Sequence, residues 1–275
     1  MNKYMKNRKP QIIRNQKEFF NENATHEKPI LSSSFFLEYV NKEQVYGFRW
    51  LGDAKSILDY GCGTGTTIEA FSKVNTLDSF TFIGVDIAEN AIKKVKLNFP
   101  NDTFFYIENN KIPLLSDDSV DGAYLIHVLH HSYEHQEIFQ VIHEKLKKGG
   151  KFLINDLSSN NPFVKLSRSI FLFLPSFIKR RFADDLVVDG GIPDKYKVNS
   201  DEVVSTLREV GFKVEEIGYG HLFLFLFAWV DRFIPLSNYR IFRVIYSALG
   251  RFEQKLLKYS FFQKYAEVFY IKCKK

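Results

Sequence analysis

Three features of this 275-residue sequence predict an α/β fold: a seven-stranded, mostly parallel sheet with helices on both faces and an antiparallel last strand. Short apolar runs alternate with amphipathic segments from residue 56 to residue 157. A glycine-rich turn, Gly61-Cys62-Gly63-Thr64-Gly65, stands between the first apolar run and the first helical pattern. Near the C-terminus, two further apolar runs read as an antiparallel strand pair. Strands that alternate with helices build a parallel sheet covered on both faces.

Residues 1–55 are polar with scattered aromatics and are expected to be a helical cover outside the central core. SILDY (56–60) reads as a buried strand, and TTIEAFSKV (66–74) as a helix with Ile68 and Phe71 on one face. FTFIGVDI (80–87) is a second strand, AENAIKKVKLNF (88–99) a second helix and TFFYIE (103–108) a third strand. SVDGAYLIHVLHH (119–131) contains a fourth strand. HQEIFQVIHEKLKKGG (135–150) is an amphipathic helix closed by glycine, and KFLINDL (151–157) a fifth strand. The alternation then breaks. It resumes at SDEVVSTLREVGF (200–212), where Ser200 is the expected N-cap, with Val203, Val204 and Leu207 behind it. KVEEIGYG (213–220) and AEVFYIKCKK (266–275) supply the last two strands. One domain over 56–275 is expected, with helical insertions at about 160–197 and 221–262.

Composition narrows the class. The net charge of +6 divides into −1 for residues 1–159 and +7 for residues 160–275, so the basic excess lies in the C-terminal part. Two cysteines, Cys62 and Cys273, make neither a disulfide framework nor a zinc site and suit a reducing compartment. The first residues carry charge without an apolar stretch behind them, so no signal peptide is read. Apolar runs such as HLFLFLFAWV (221–230) fall short of the roughly 20 residues of a membrane-spanning helix. A cytoplasmic location is expected, with room for peripheral contact at the inner face of the membrane.

Glycine is costly in any ordered element, so three in five residues point to a sharp turn that lets something approach bare backbone. In a doubly wound sheet that place binds nucleotides. The spacing is G-x-G-x-G, unlike the G-x-G-x-x-G of dinucleotide sites and unlike a P-loop. Asp59 precedes the loop, and Asp86 ends the second strand, where a ribose diol needs an acceptor.

ILDYGCGTG (57–65), FIGVDIAENAI (82–92), ENNKIPLLSDDSVDGAYLIHVLHH (108–131), VIHEKLKKGGKFLIND (141–156) and LREVGFKVEEI (207–217) together resemble the class I S-adenosylmethionine-dependent methyltransferases. The likeness is to the small-molecule group that includes the ubiquinone and menaquinone methyltransferases, with Lys148 where that group usually has proline. The resemblance implies a Rossmann-like fold, S-adenosyl-L-methionine as cofactor and S-adenosyl-L-homocysteine as product. Within its first motif it implies that Asp59 and the amides around Gly61 and Gly63 hold the cofactor's amino-acid end, with Cys62 and Gly65 also among the cofactor-binding residues. Asp86 would take the ribose hydroxyls, Ile87 would pack on adenine, and Glu108 would accept from the adenine amino group beside the Asn109 amide. His127 would line the methionine side. Asn109 and Asn110 depart from the small-plus-charged pair usual in that family.

HVLHHSYEH (127–135) brings four histidines into nine residues. With no cysteine nearby and no His-Glu-x-x-His spacing, no metal is expected. His130 or His131 is the candidate general base on a hydroxyl acceptor; the alternative is that both only shape the pocket.

The proline-rich segment that amino-group methylases carry after the fourth strand is absent, which leaves an oxygen or carbon of a small, hydrophobic or lipid-linked acceptor. Substrate identity is expected in 160–182 and 221–260, where apolar and basic residues interleave. Such segments suit a lid, a homodimer surface or peripheral membrane contact, with Lys179, Arg180 and Arg181 facing anionic headgroups. Interleaving also disfavours nucleic acid, which wants a solvated basic stripe. An RNA-binding methyltransferase, or a non-catalytic cofactor-binding relative, is the rival reading.

Overall fold

The computed structural model describes residues 17–18, 20–22, 42–74, 80–112, 114–132, 134–158, 161–162, 166, 198–224, 226–227, 231 and 235–275. Within them run α1 (Lys42–Trp50), β1 (Ser56–Tyr60), α2 (Thr66–Val74), β2 (Thr81–Asp86), α3 (Glu89–Asn98) and β3 (Thr103–Tyr106). Then come β4 (Val120–Ile126), a 3-10 turn (Leu129–His131), α4 (His135–Lys145) and β5 (Leu146–Leu157). The chain finishes with α5 (Ser200–Val210), β6 (Lys213–Gly220), α6 (Arg240–Leu256), α7 (Ser260–Gln263) and β7 (Val268–Lys274).

The sheet order is β3-β2-β1-β4-β5-β7-β6. All neighbours pair in parallel except β7, which runs antiparallel to both β5 and β6. Because successive side chains of a strand point to opposite faces, residues next to each other in sequence serve two cores. Leu58, Val85 and Leu125 pack with Phe139 and Ile142 of α4 and Leu207 of α5. Ile57, Phe82 and Tyr124 pack on the other face with Ile68 and Phe71 of α2 and Val95 of α3. Both faces are dry, which explains why β1 and β4 read as continuous apolar runs rather than alternating ones.

Chain order reverses at the β1/β4 boundary: β2 and β3 build outward on one side, β4 and β5 on the other. In open sheets of this kind a crevice forms there, beyond the strand C-termini.

Three local expectations need correction. The amphipathic helix ends at Lys145, before the glycines, because Leu146 already pairs with Val120 in the sheet. Gly149, at φ +77°, serves the bend that follows, where its amide donates to the Lys275 carbonyl. The cap of α5 is Asn199, whose side chain accepts from the Asp201 amide; Ser200 is the first helical residue. The cover over 1–55 also reaches the core itself: Phe48 of α1 is fully buried and meets Phe71 and Tyr124 edge-on or tilted. The expectations for 167–197, with Lys179, Arg180 and Arg181, lie outside the described residues.

Candidate active site

The residues that follow four strand ends converge. Gly61 comes after β1, Ile87 after β2, Ile107 after β3 and His127 after β4, and all four line one cavity of about 390 Å³. Its volume is at the lower end of the range for small-molecule sites. Gly63, Asp86, Asn109, Asn110, His131 and Glu134 supply much of the polar part of the wall. Val85, Ala88, Ala91, Val128, Ile138 and Phe20 supply much of the apolar part. Among the described residues no lysine or arginine lines the cavity, whereas the carboxylates of Asp86 and Glu134 do.

The loop owes its shape to glycine. Gly61, Gly63 and Gly65 all sit at positive φ, of 83°, 50° and 94°. A Cβ on Gly61 would run into the Val128 side chain, while one on Gly63 would meet nothing within 4 Å. So the turn at 61 is tight against β4's exit, and the turn at 63 faces open space. The loop amides, however, are committed inside the protein. Gly61 and Cys62 both donate to the Val85 carbonyl, at 2.8 and 3.0 Å, and Gly65 donates to Cys62. The Gly63 amide donates to Asp86 Oδ2 at 2.8 Å. What the loop offers a ligand is bare backbone and, behind it, the N-terminus of α2, whose first amides have no partner inside the helix.

Asp86 is held by this arrangement. Its Oδ1 accepts from the Ala88 amide at 2.8 Å while Oδ2 takes Gly63. Burial lifts its carboxyl above the usual carboxylate range, and the backbone donors pull it back in part. A half-buried, oriented carboxylate of this kind has lone pairs left for hydroxyl donors.

Several sequence-predicted residues are placed elsewhere. Asp59 is fully buried behind the loop, where its carboxylate accepts from the Tyr124 hydroxyl at 3.0 Å. Burial pushes its carboxyl far up, with Tyr124 opposing. Cys62 is buried under the turn, and Gly65 packs against Phe99 and Val95; neither lines the cavity. The Glu108 side chain is exposed and turned outward, accepting from the Tyr106 hydroxyl at 2.7 Å and facing the Lys17 ammonium. Asn109 remains on the cavity wall at φ +53°, as does Asn110 at φ +59°.

Sequence reading passed over a chain of polar contacts across the cavity rim. The Tyr60 hydroxyl donates to Asn110 Oδ1 at 3.0 Å, and Asn110 Nδ2 donates to Glu134 Oε2 at 2.7 Å. This clasp spans β1, the loop after β3 and the start of α4, and it supports Asn110 in a backbone region that non-glycine residues seldom occupy. A tyrosine next to the glycine turn was the available signal.

The histidines divide by role. His131 lies on the cavity wall, edge-on to Phe20 at 5.1 Å and stacked at a tilt on His130 at 3.8 Å. Burial pushes its imidazole down to about 3, with His130 adding to the effect. His130 stands behind it, Nδ1 at 2.6 Å from Asp156 Oδ1. Asp156, fully buried at the end of β5, also accepts from the amides of Leu129 and Leu157 at 2.6 and 2.7 Å. Burial acts to raise its carboxyl, but His130 and the other donors outweigh that and hold it below the usual range. His127 takes a positive φ of 57°, donates its amide to Asn155 and is pushed by burial to about 4. His127, His130 and Asp156 also bring one possible ligand atom each within 4.8 Å of one another. The oxygens of Asp156 already accept from His130 and from the Leu129 and Leu157 amides.

Residues 51–182 match the family model described as Methyltransferase domain. The chain is 22% identical over 196 residues to carboxy-S-adenosyl-L-methionine synthase of Desulfotalea psychrophila, covering 67% of this chain and 79% of that protein. It is 25% identical over 167 residues to the O-methyltransferase cnsE of Penicillium expansum, covering 58% of this chain and 53% of the other. Its fold is similar to the crystal structure of an S-adenosylmethionine-dependent methyltransferase from Aquifex aeolicus, with TM-score 0.53 and 17% identity over 89% of this chain and 94% of that one.

Proposed function

We propose that this chain, a class I S-adenosylmethionine-dependent methyltransferase, methylates an oxygen or carbon of a small, uncharged and largely apolar acceptor. The observation that carries the reading is one cavity in which Asp86 and the glycine turn share a wall with His131. Asp86 would take the ribose hydroxyls, Ile87 and the Asn109 backbone would face the adenine, and the α2 N-terminus would meet the carboxylate of the amino-acid end. Bound there, the cofactor supplies an electrophilic methyl on a sulfonium, which leaves as a neutral thioether when the acceptor takes the methyl and gives up a proton.

The chain's part is to position, to exclude water and to receive that proton. Positioning two reactants in line can supply much of the acceleration. His131, neutral because burial disfavours its charged form, can accept the hydroxyl hydrogen of an acceptor. Its depressed pKa makes it a weak base, which matches an acidic hydroxyl such as a phenol or enol better than an aliphatic alcohol. His130, fixed by Asp156, holds the His131 ring from behind. An acceptor bearing phosphate would find two carboxylates and no lysine or arginine among the described lining residues. The same lack disfavours RNA in this cavity.

The test is transfer from methyl-labelled cofactor to a panel of phenolic, enolic and phosphorylated acceptors and RNA, with organic extraction of the product. Label in the organic phase from uncharged acceptors supports the proposal. Label confined to phosphorylated acceptors or RNA overturns it.

A further inference from the structure

The segment between β6 and β7 carries a feature that the cavity does not use. Gly220 and Leu157 both register with Val268, so the segment leaves from and returns to the sheet edge where the cavity lies. Its main element, α6, buries only Tyr246 and Glu253 among the residues that it presents to the fold. Glu253 is turned inward, its Oε2 accepting from the amides of Phe223 and Leu224 at 2.8 Å each.

The outward side is apolar where a solvated helix would be polar. Ile241, Val244, Ile245, Ala248 and Phe252 follow the i, i+3, i+4, i+7 spacing that puts them in one stripe. Ile241, Val244 and Phe252, with Tyr259 and Phe261 just beyond, are each 54–67% exposed. Beside them stand Arg240, Arg243, Arg251, Lys255, Lys258 and Lys264, all exposed. Among the described residues none of these six forms an ion pair, and Lys264 instead lies over the Phe261 and Tyr265 rings at 4.5 and 4.9 Å. The one acid between residues 239 and 265 is the inward Glu253.

We infer that the outer face of 239–264 is a docking surface for an anionic lipid bilayer. The argument is charge complementarity joined to apolar depth. A stripe of Ile, Val and Phe gains by leaving water for the acyl boundary, and a row of cations with no acid beside it gains from anionic headgroups. Aromatic residues at the stripe's ends suit the interfacial layer. An RNA site would use the cations but leave the aliphatic stripe in water. No helix among the described residues is long and apolar enough to cross a membrane, so the contact is peripheral. The inference does not depend on which acceptor is methylated.

The experiment is flotation of the full chain with vesicles of phosphatidylcholine alone and of phosphatidylcholine with phosphatidylglycerol. Binding is expected on the anionic vesicles, weakening with salt. Each cation near such a surface contributes about fivefold, so Arg251→Glu with Lys255→Glu should cut partitioning by at least about twenty-five-fold. Ile241→Ser with Phe252→Ser should cut it by roughly tenfold or more. Unchanged cofactor affinity and melting temperature in the charge-reversed protein, whose changes are at exposed positions, separate docking from misfolding. Failure to bind anionic vesicles, or equal binding by all variants, overturns the inference. So does a wild-type dimer that the serine variant dissociates while no vesicle binding is seen, since a second copy would then cover the stripe.

Discussion

Replacing Asp86 with alanine should separate the ribose contact from everything else in the cavity. The carboxylate is half-buried, lines the cavity and accepts from Gly63 and Ala88 at 2.8 Å each. A bound diol would add a charge-assisted hydrogen bond to the remaining lone pairs, contributing about 1.5–3 kcal/mol. Asp86→Ala is therefore expected to weaken S-adenosylmethionine and S-adenosylhomocysteine by about ten- to a hundredfold by calorimetry. The same change strands two backbone amides, so some stability is lost as well, about 1–3 kcal/mol for each amide that water cannot reach. Ligand fragments resolve the two effects: adenosine should lose affinity in the variant, and adenine, which lacks the diol, should not. Equal losses for adenosine and adenine would refute the ribose assignment. Tighter binding of NAD than of S-adenosylmethionine to the wild type would refute the reading of the loop itself.

His131→Ala is expected to lower turnover about 10²–10⁴-fold with cofactor affinity nearly unchanged; parallel losses in both would mean that His131 only shapes the cavity. Burial disfavours the imidazolium and holds His131 at about 3, so the neutral form persists through pH 5–8 and kcat/KM should show no acid limb near 6.5 from this residue; a limb there that disappears in the alanine variant would contradict the burial argument. Gly61→Ala combines a positive φ with a clash against Val128, and should lower the melting temperature and abolish cofactor binding in the same thermal-shift and calorimetry series. Tyr60→Phe removes the donor to Asn110 and should cost about 0.5–1.5 kcal/mol in chemical denaturation.

Much of the architecture was legible because it rests on period and spacing. A sheet dry on both faces leaves near-continuous apolar runs at β1 and β4, and the amphipathic segments around them mark the covering helices. The glycine triplet and Asp86 could be placed at strand ends because the turn and the acid are local features of chain order. Boundaries were less legible. Leu146 leaves the helix for a pairing with Val120, a partner twenty-six positions earlier, and no local pattern announces it.

Which side of the loop a residue faces is also a tertiary matter. Asp59 and Cys62 belong to the same motif as Gly61 and Gly63, yet the strand pleat at Asp59 and the fold of the turn at Cys62 send them behind the loop, and the loop amides are spent on Val85 and Asp86. Neighbouring histidines part in the same way: His131 faces the cavity while His130 turns to Asp156, a residue twenty-six positions later on another strand. The sequence by itself determined the sheet, the turn and the acid after it, since those follow from residues within a few positions of one another. Only the tertiary structure decided the inward and outward sides, the Tyr60–Asn110–Glu134 clasp and the Asp156 support, because each depends on hydrogen bonds between strand ends that chain order holds apart and packing brings to one edge.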